Sequence, residues 1–321
     1  MSLSRRARPA LALNAALATA LLAFAAGDSM GSTPADAGVV DAAGPSRVAD
    51  GGPVPGPDVP EEPAEAALPG GNRDAALAEA VGGLTEGTEA RLSVSVLDLA
   101  SGAGAGFGLQ ERFDTASIVK VDILAALLLL AQDEGRELSA RERSLAAEMI
   151  RSSDNAAADV LWRAIGRAPG LDEANRRLGL TGTTGGPRTH WGLTQTTSQD
   201  QIALLRAVYE EDSPLGPDAR AFVRGLMDTV VPGQRWGVSA AAEGGQGGEV
   251  ELKNGWLPRS RTGLWDINSI GRVTADGREY LLAVVSDGNA TQAAGIDLVE
   301  TAARAAVAAL QGPPAAALPG Q

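Results

Sequence analysis

The chain has 321 residues, of which 44% are hydrophobic, and carries a formal net charge of −13. It contains no cysteine and one histidine, which excludes disulfides, thiolate catalysis and cysteine or multi-histidine metal sites. The acidic balance, without a Lys/Arg-rich run beyond the N-terminal segment, argues against a nucleic acid partner, and no pattern predicts a metal or other cofactor.

The first 26 residues predict an export signal. Arg5, Arg6 and Arg8 precede the mostly apolar run 9–26, which ends in small residues suited to cleavage. The alternative is an uncleaved membrane anchor, since about 18 apolar residues can just span a bilayer. The segment is only weakly hydrophobic, so we expect cleavage, no stable membrane span afterwards, and a secreted or cell-surface protein.

Residues 27–71 are predicted to form a disordered linker. They are rich in Gly, Pro and Ala and hold eight acidic residues against one arginine. Such a segment buries too little apolar surface to offset its chain entropy. We therefore place one domain at 72–310, as a monomer, with a flexible tail at 311–321.

The order of predicted elements within 72–310 indicates an α+β fold. A helix at 72–81 precedes strands at 91–99 and 106–109, and the predicted helices then occupy 117–131, 139–150, 155–165, 171–178, 198–209 and 217–230. Three strands at 249–256, 265–274 and 280–286 are followed by a helix at 295–310. This order predicts an antiparallel sheet of early and late strands, flanked by the N- and C-terminal helices, plus an all-helical lobe.

The helix at 117–131 is apolar almost all round from Val121 onwards. Eleven such residues reach only about 16 Å, too short for a membrane span. We therefore expect a helix buried on every face, with Ser117 in its first turn.

Only two lysines occur in the chain, Lys120 and Lys253, against twenty-five arginines. An arginine keeps its proton in a protein, whereas a lysine loses it once burial or a like charge lowers its pKa. Two amines in an arginine background therefore mark positions where the chemistry needs an amine.

Ser117 and Lys120 are one helical turn apart, so their side chains share a face. A serine hydroxyl becomes a good nucleophile when a neutral amine takes its proton. A second ammonium about 5 Å from Lys120 would contribute about 3 kcal/mol against its charge, or some two pKa units. Lys253 is the one other amine able to do this.

The segment Ser153-Asp154-Asn155 completes the set of motifs. Ser153 can pass a proton between Lys253 and a leaving nitrogen, and Asn155 offers both a donor and an acceptor to a substrate amide. Each motif alone is weak evidence, because such short patterns are common in turns and helix caps. Their order and their surroundings make the combination specific.

With these motifs, residues 72–310 resemble the serine penicillin-recognising enzymes: penicillin-binding proteins and, most closely, class A β-lactamases. The resemblance implies an acylated Ser117, Lys120 as its base partner, Ser153 as proton relay and Lys253 as the cationic element on the strand beside the cleft. Backbone N–H groups of Ser117 and Trp256 would form the oxyanion hole, and the substrate-contacting residues would be Asn155, Asn254 and Gly255.

Two departures from the family pattern bear on activity. The loop 181–197 contains no Asp or Glu that could activate the deacylating water. His190 is a candidate substitute base, although a loop histidine is more often structural or solvated. Asn254 stands where a Thr or Ser hydroxyl would bind a β-lactam carboxylate, which Arg259 or Arg261 would then have to bind.

These features leave three functions open. One is an exported serine acyl-hydrolase of β-lactamase type that deacylates slowly after reacting with a β-lactam or related amide. Another is a penicillin-binding-protein-like peptidase or transferase acting on cell-wall D-alanyl peptides. The last is a module that binds or senses β-lactams or cell-wall peptides without turnover.

Overall fold

The computed structural model describes residues 72–312. The predicted signal at 1–26, the linker at 27–71 and all but the first two residues of the predicted tail at 311–321 lie outside the described residues. Within 72–312, no helix combines the length and apolar character that a membrane crossing requires.

A five-stranded antiparallel sheet forms the centre of the described domain. Its strands are β1 (Arg91–Asp98), β2 (Gly104–Phe107), β5 (Val250–Pro258), β6 (Trp265–Ala275) and β7 (Arg278–Asn289). They lie in the order β2-β1-β7-β6-β5, so the two early strands pair with the three late ones. The predicted α+β fold is confirmed. Because β5 is at an edge, one side of its backbone is left without a strand partner.

Helices cover both faces of this sheet. They are α1 (Asn72–Val81), α2 (Val119–Asp133), α3 (Ala140–Arg151), α4 (Asn155–Ala164), α5 (Arg167–Leu178), α6 (Ser198–Tyr209), α7 (Pro217–Asp228) and α8 (Gln292–Gln311). α1 and α8 pack on one face in a core that includes Leu77, Val96 and Val299. The other face packs on the helical lobe, through Ala283 and Val285.

Strand β1 alternates serine and valine, yet its serines are also buried. Ser93 and Ser95 face α6, where both hydroxyls hydrogen-bond the Ser198 hydroxyl, at 2.7 and 2.8 Å. The polar positions of this strand therefore face the helical lobe rather than solvent, and hydrogen bonds offset their desolvation.

Helix α2 is the buried core helix that its composition predicts. Twelve of its fifteen residues are buried, and it packs against α3, α4, α5 and α7. Glu142 follows Ser139 by three residues, a spacing that predicts a capping box, and the structure forms it at the start of α3. Ser117 and Lys120 are thus fixed at one end of the most buried helix in the lobe.

A small second sheet in the structure was not predicted from the sequence. Strands β3 (Phe113–Asp114) and β4 (Gln195–Thr196) pair antiparallel, where the sequence predicted a lead into a helix and an irregular loop. Two-residue strands carry no alternation that a sequence could reveal. This pairing joins the end of the loop 181–197 to the segment just before Ser117.

Replacing Leu124 tests the role of α2 as the centre of the lobe. Leu124 is fully buried, so we expect Leu124→Ala to lower the free energy of unfolding by about 3–5 kcal/mol through lost burial and a cavity. Leu124→Met conserves volume and should cost less than about 1.5 kcal/mol. Urea unfolding of both variants measures this, and equal losses would contradict it.

Candidate active site

Ser117 lies in a short 3₁₀ turn, Ala116–Ile118, that leads into α2. The helix proper begins at Val119, two residues later than predicted. Ala116 has a φ of 47°, a left-handed conformation that is strained for a residue with a side chain. Ser117 is half-buried, and its hydroxyl makes no hydrogen bond to any residue in 72–312, so it is available to a ligand.

Strand β5 approaches the Ser117 turn so closely that only glycine fits at position 255. A β-carbon there would lie 2.7 Å from the backbone nitrogen of Ser117, 2.8 Å from the Thr115 carbonyl oxygen and 2.9 Å from the Ile118 nitrogen. All three neighbours are backbone atoms, which cannot rotate away. Gly255 therefore sets the distance between the edge strand and the start of α2.

Two side chains tie the same segment to the strands. Asn268 Nδ2 on β6 donates to the carbonyl oxygens of Asp114 and Thr115, at 2.9 and 3.0 Å. The Arg259 guanidinium, just beyond β5, pairs with the carboxylates of Asp114 and Asp266. The segment just before Ser117 is thus bound to β6 through Asn268 and to the end of β5 through Arg259.

The Lys120 ammonium is completely buried and directed at the second motif. Its Nζ donates to the Ser153 carbonyl oxygen at 2.6 Å, to Ser153 Oγ at 3.1 Å and to Asn155 Oδ1 at 2.8 Å. It also lies over the Trp191 ring, 4.7 Å from the centroid. Among the described residues no hydrogen bond joins Lys120 to Ser117, although the sequence predicts that the two side chains share a face.

Lys253 reaches the same hydroxyl from the other side. Its Nζ donates to Ser153 Oγ at 3.0 Å and to the Asn254 carbonyl oxygen at 2.6 Å, and it is fully buried. Ser153 itself has a φ of 57°. The structure therefore brings the two lysines together around one serine oxygen, as the sequence predicted, in a strained turn of the kind found at functional sites.

Burial lowers the pKa of both lysines. It brings the pKa of Lys120 to about 7, although the nearby carboxylates of Asp154 and Asp159 oppose this. Burial and, second, the charge of Lys120 lower the pKa of Lys253 well below its usual value. The two ammonium groups repel each other, as the sequence predicted, but burial contributes more than this repulsion to the lowered pKa values.

Helix α4 carries two polar residues, Asn155 and Asp159, on one face, and Asp154 precedes it as the N-cap. Asp154 caps the helix through Ala157 N, at 2.7 Å, and Asn155 at its first turn is exposed, with its Oδ1 bound to Lys120. One turn on, Asp159 Oδ1 accepts a 2.8 Å hydrogen bond from Trp191 Nε1. Asp159 therefore fixes the indole that covers Lys120.

Asn254 is placed differently from the other expected substrate contacts. It is buried, and its Nδ2 donates to the carbonyl oxygens of Gln234 and Trp236, at 2.8 and 2.9 Å. Both amide hydrogens are thus used within the protein. Its side chain ties β5 to the loop at 234–236 rather than lining an open surface.

Trp256 follows Gly255 on the edge strand and is half-buried. Its ring lies 6.1 Å from that of Trp236, with the planes tilted by 59°. This pair packs beside the point where β5 passes the Ser117 turn, and it fixes the backbone whose N–H the resemblance assigns to the oxyanion hole.

The structure distinguishes between Arg259 and Arg261 as candidate partners of a substrate carboxylate, and it shows where His190 lies. Arg259 is already paired with two carboxylates, so of the two arginines Arg261, which is exposed, is the one left to bind a substrate carboxylate. His190 is exposed on the loop. It is the neighbouring Trp191 that covers Lys120, a position in which its ring excludes water.

The contacts of Asp159, Asn268 and Asp114 around the site were not predicted from the sequence. Asp159 could have been found, because it lies four residues after Asn155 and so shares its helix face. Asp114 and Asn268 act across 154 residues, and no local pattern reveals such a contact.

A protein family described as the Beta-lactamase enzyme family matches residues 134–310. The match includes Ser153–Asn155 and Lys253–Gly255 and begins after Ser117 and Lys120. Curated relatives named "Putative lipoprotein LppW", from Mycobacterium tuberculosis and Mycobacterium bovis, are 30% identical over 175 residues, 52% of this chain and 54% of theirs. The chain thus spans about half the length of these relatives.

Solved structures share the fold at low identity. A class A β-lactamase from Bacteroides cellulosilyticus is 17% identical, with a TM-score of 0.64 over 74% of this chain and 98% of that one. The structure of PBP-A is 20% identical, with a TM-score of 0.63 over 76% and 99%. Because the family match covers more than half of the residues, this chain belongs to the β-lactamase enzyme family.

Proposed function

We propose that this protein is an exported serine acyl-hydrolase that forms an acyl-Ser117 intermediate with a β-lactam or related amide and releases it slowly. The observation that carries the proposal is the Ser153 hydroxyl, which lies between two fully buried amines. Burying two amines disfavours folding, so their joint placement around Ser153 Oγ, with the unengaged hydroxyl of Ser117 three residues before Lys120, supports a chemical role.

The acylation step uses Lys120 as the base. Its pKa of about 7 leaves a neutral fraction near half at neutral pH, the range in which a general base is most effective. Ser117 Oγ attacks the acyl carbon, its proton moves to Lys120, and the C–N bond breaks. The leaving nitrogen takes the Ser153 hydroxyl proton, and Lys120 returns a proton to Ser153.

The negative charge on the acyl oxygen needs preorganised donors. The backbone N–H of Ser117 at the start of α2 and that of Trp256 on the edge strand are the proposed pair. The close approach of Gly255 to the Ser117 nitrogen supports this pairing, because it brings the two backbones together.

Release of the acyl group is proposed to be slow. The loop 181–197 supplies no carboxylate, and the Asp159 carboxylate nearby is bound to the Trp191 indole. A water molecule at the acyl-enzyme would therefore lack the loop carboxylate that activates it in the family pattern. Slow release of the acyl group also suits a penicillin-binding-protein-like D-alanyl peptidase or transferase, in which an amine completes the cycle. If the acyl group is not released at all, the protein acts as a module that binds or senses its ligand.

Location at the cell surface or outside the cell is part of this proposal. It rests on the predicted signal at 1–26 and on the similarity to proteins named as lipoproteins. A cell-wall peptide or a β-lactam would be the partner met in that compartment, and a monomer is expected to suffice.

Intact mass after exposure to benzylpenicillin tests the function. We expect a mass increase equal to the whole penicillin, because opening the lactam ring releases no atoms, and we expect the adduct to map to Ser117 and to persist. Ser117→Ala should show no adduct while keeping the same thermal unfolding midpoint. Rapid hydrolysis without an adduct would contradict slow release. The absence of both an adduct and hydrolysis would contradict the proposal itself.

The pH dependence of acylation tests the role of Lys120. The base must be neutral, so the acylation rate constant should rise about tenfold per pH unit below about 7 and level off above it. Quenched time courses by mass spectrometry between pH 5.5 and 9 measure this. Lys120→Arg, which keeps its proton, should lose most of the rate at every pH; a flat wild-type profile would refute the assignment.

Substituting Gly255 tests the oxyanion arrangement. The added methyl of Gly255→Ala must push β5 away from Ser117, and we expect the acylation rate constant to fall by about 10²-fold. Gly225→Ala on α7 is the matched control. No atom within 4 Å meets its β-carbon, so it should raise stability by about 0.5–1 kcal/mol without changing acylation.

A further inference from the structure

The Lys120 amine has an aromatic cover as well as hydrogen-bond partners. Its Nζ donates to Ser153 and Asn155, and the Trp191 ring lies over the same nitrogen, 4.7 Å from the centroid. Lys120 has no exposed surface, whereas Trp191 is half-buried, so the indole lies between the amine and solvent. The ring is therefore part of the wall that keeps water from this nitrogen.

Asp159 fixes the orientation of that ring. The indole Nε1 of Trp191 donates to Asp159 Oδ1 at 2.8 Å. Asp159 lies one turn after Asn155 on α4, the helix whose start also binds Lys120. An indole has a single hydrogen-bond donor, so the ring cannot turn away from the amine without losing this bond.

The backbone that carries the indole lies against the turn of the proposed nucleophile. Trp191 begins the 3₁₀ turn Trp191–Leu193. Just after it, the Thr194 carbonyl oxygen accepts a 2.8 Å hydrogen bond from Thr115 N. A β-carbon at Gly192 would lie 3.7 Å from the Ala116 Cα, which is ordinary contact. The indole is thus held at its polar end by α4 and at its backbone by the segment before α2.

Exclusion of water decides the charge of the Lys120 amine. Burial lowers the pKa of Lys120 to about 7, against the carboxylates of Asp154 and Asp159 on α4, which favour the charged form. The face of an aromatic ring also attracts an ammonium. Lys253 on β5 is the like charge in contact with the same Ser153 hydroxyl. Because ring and carboxylates both favour the ammonium, a dry environment is what leaves Lys120 neutral for part of the time.

We propose that Trp191 is a positioning residue: held by Asp159, its indole keeps water away from Lys120 and from the side of the acyl-enzyme formed by the loop 181–197. The consequence for catalysis rests on the proposed function and extends it. Slow release is assigned to a side chain that shields the site, in addition to the lack of a carboxylate in the loop. The same cover makes Lys120 a base near neutral pH.

The two lysines of the chain allow a direct test of the cover. With ¹³C at lysine Cε, the full chain gives one resonance for each, and Lys253→Arg assigns them. We expect Lys120 to titrate near pH 7 in the wild type. In Trp191→Ala, readmitted water should raise the midpoint by about one unit or more, and Trp191→Phe, which keeps a ring, should raise it less. Equal midpoints in the wild type and Trp191→Ala would overturn the inference.

A matched pair of variants tests the anchor. Asp159→Asn and Asp159→Leu remove the same charge and are similar in size, but only the asparagine keeps an oxygen that accepts from the indole. The Lys120 midpoint should therefore be higher in Asp159→Leu than in Asp159→Asn. Asp297→Asn removes an exposed carboxylate on α8 and should leave the midpoint unchanged. Equal midpoints in the two Asp159 variants would show that the hydrogen bond does not hold the cover.

The lifetime of the acyl-enzyme gives a second readout. With benzylpenicillin at pH 7, Trp191→Ala should acylate more slowly than the wild type, because more Lys120 is protonated, and should lose the acyl group about tenfold faster. General damage to the fold would slow both steps, so opposite changes identify the loss of the cover. An unchanged lifetime would overturn the assignment of slow release to Trp191. If no variant and no wild-type protein is acylated, the proposed function fails, while the lysine titrations still decide whether Trp191 shields Lys120.

Discussion

The hydroxyl of Ser153, held between two buried amines, is the interaction on which the site depends. Lys120 comes from the central helix of the lobe, Lys253 from the edge strand of the sheet, and Ser153 from the turn before α4. One oxygen thus joins three parts of the fold that are distant in sequence. Gly255 and Asn268 then bring the strands against the Ser117 turn, next to the strand that carries Lys253.

This arrangement opposes stability at neutral pH. A lysine in an unfolded chain has a pKa of about 10.4, whereas burial lowers that of Lys120 to about 7. Between about pH 7 and 10.4 the unfolded chain therefore binds a proton at Lys120 that the folded protein has lost. The free energy of unfolding rises with pH through that window. The destabilisation is complete below about pH 7 and is lost as the pH approaches 10.4. The lobe built around α2 has to offset it.

Local patterns predicted most of the fold. Helix α2 was found because its apolar run has no polar face, and α3 because Ser139 and Glu142 form a capping box. The meeting of Lys120 and Lys253 followed from their rarity. What could not be predicted arises from long-range packing: the β3–β4 pair, the burial of Asn254 and the pairing of Arg259. These depend on which segments meet in space, and no periodicity encodes that.

The indole of Trp191 has a consequence for how the site can be observed. It is half-buried, bonded to Asp159 and covered on one face by the Lys120 nitrogen. When that nitrogen loses its proton, the electric field across the ring changes, and with it the emission of the fluorophore. The fluorescence of Trp191 therefore reports the protonation state of Lys120 without any added dye.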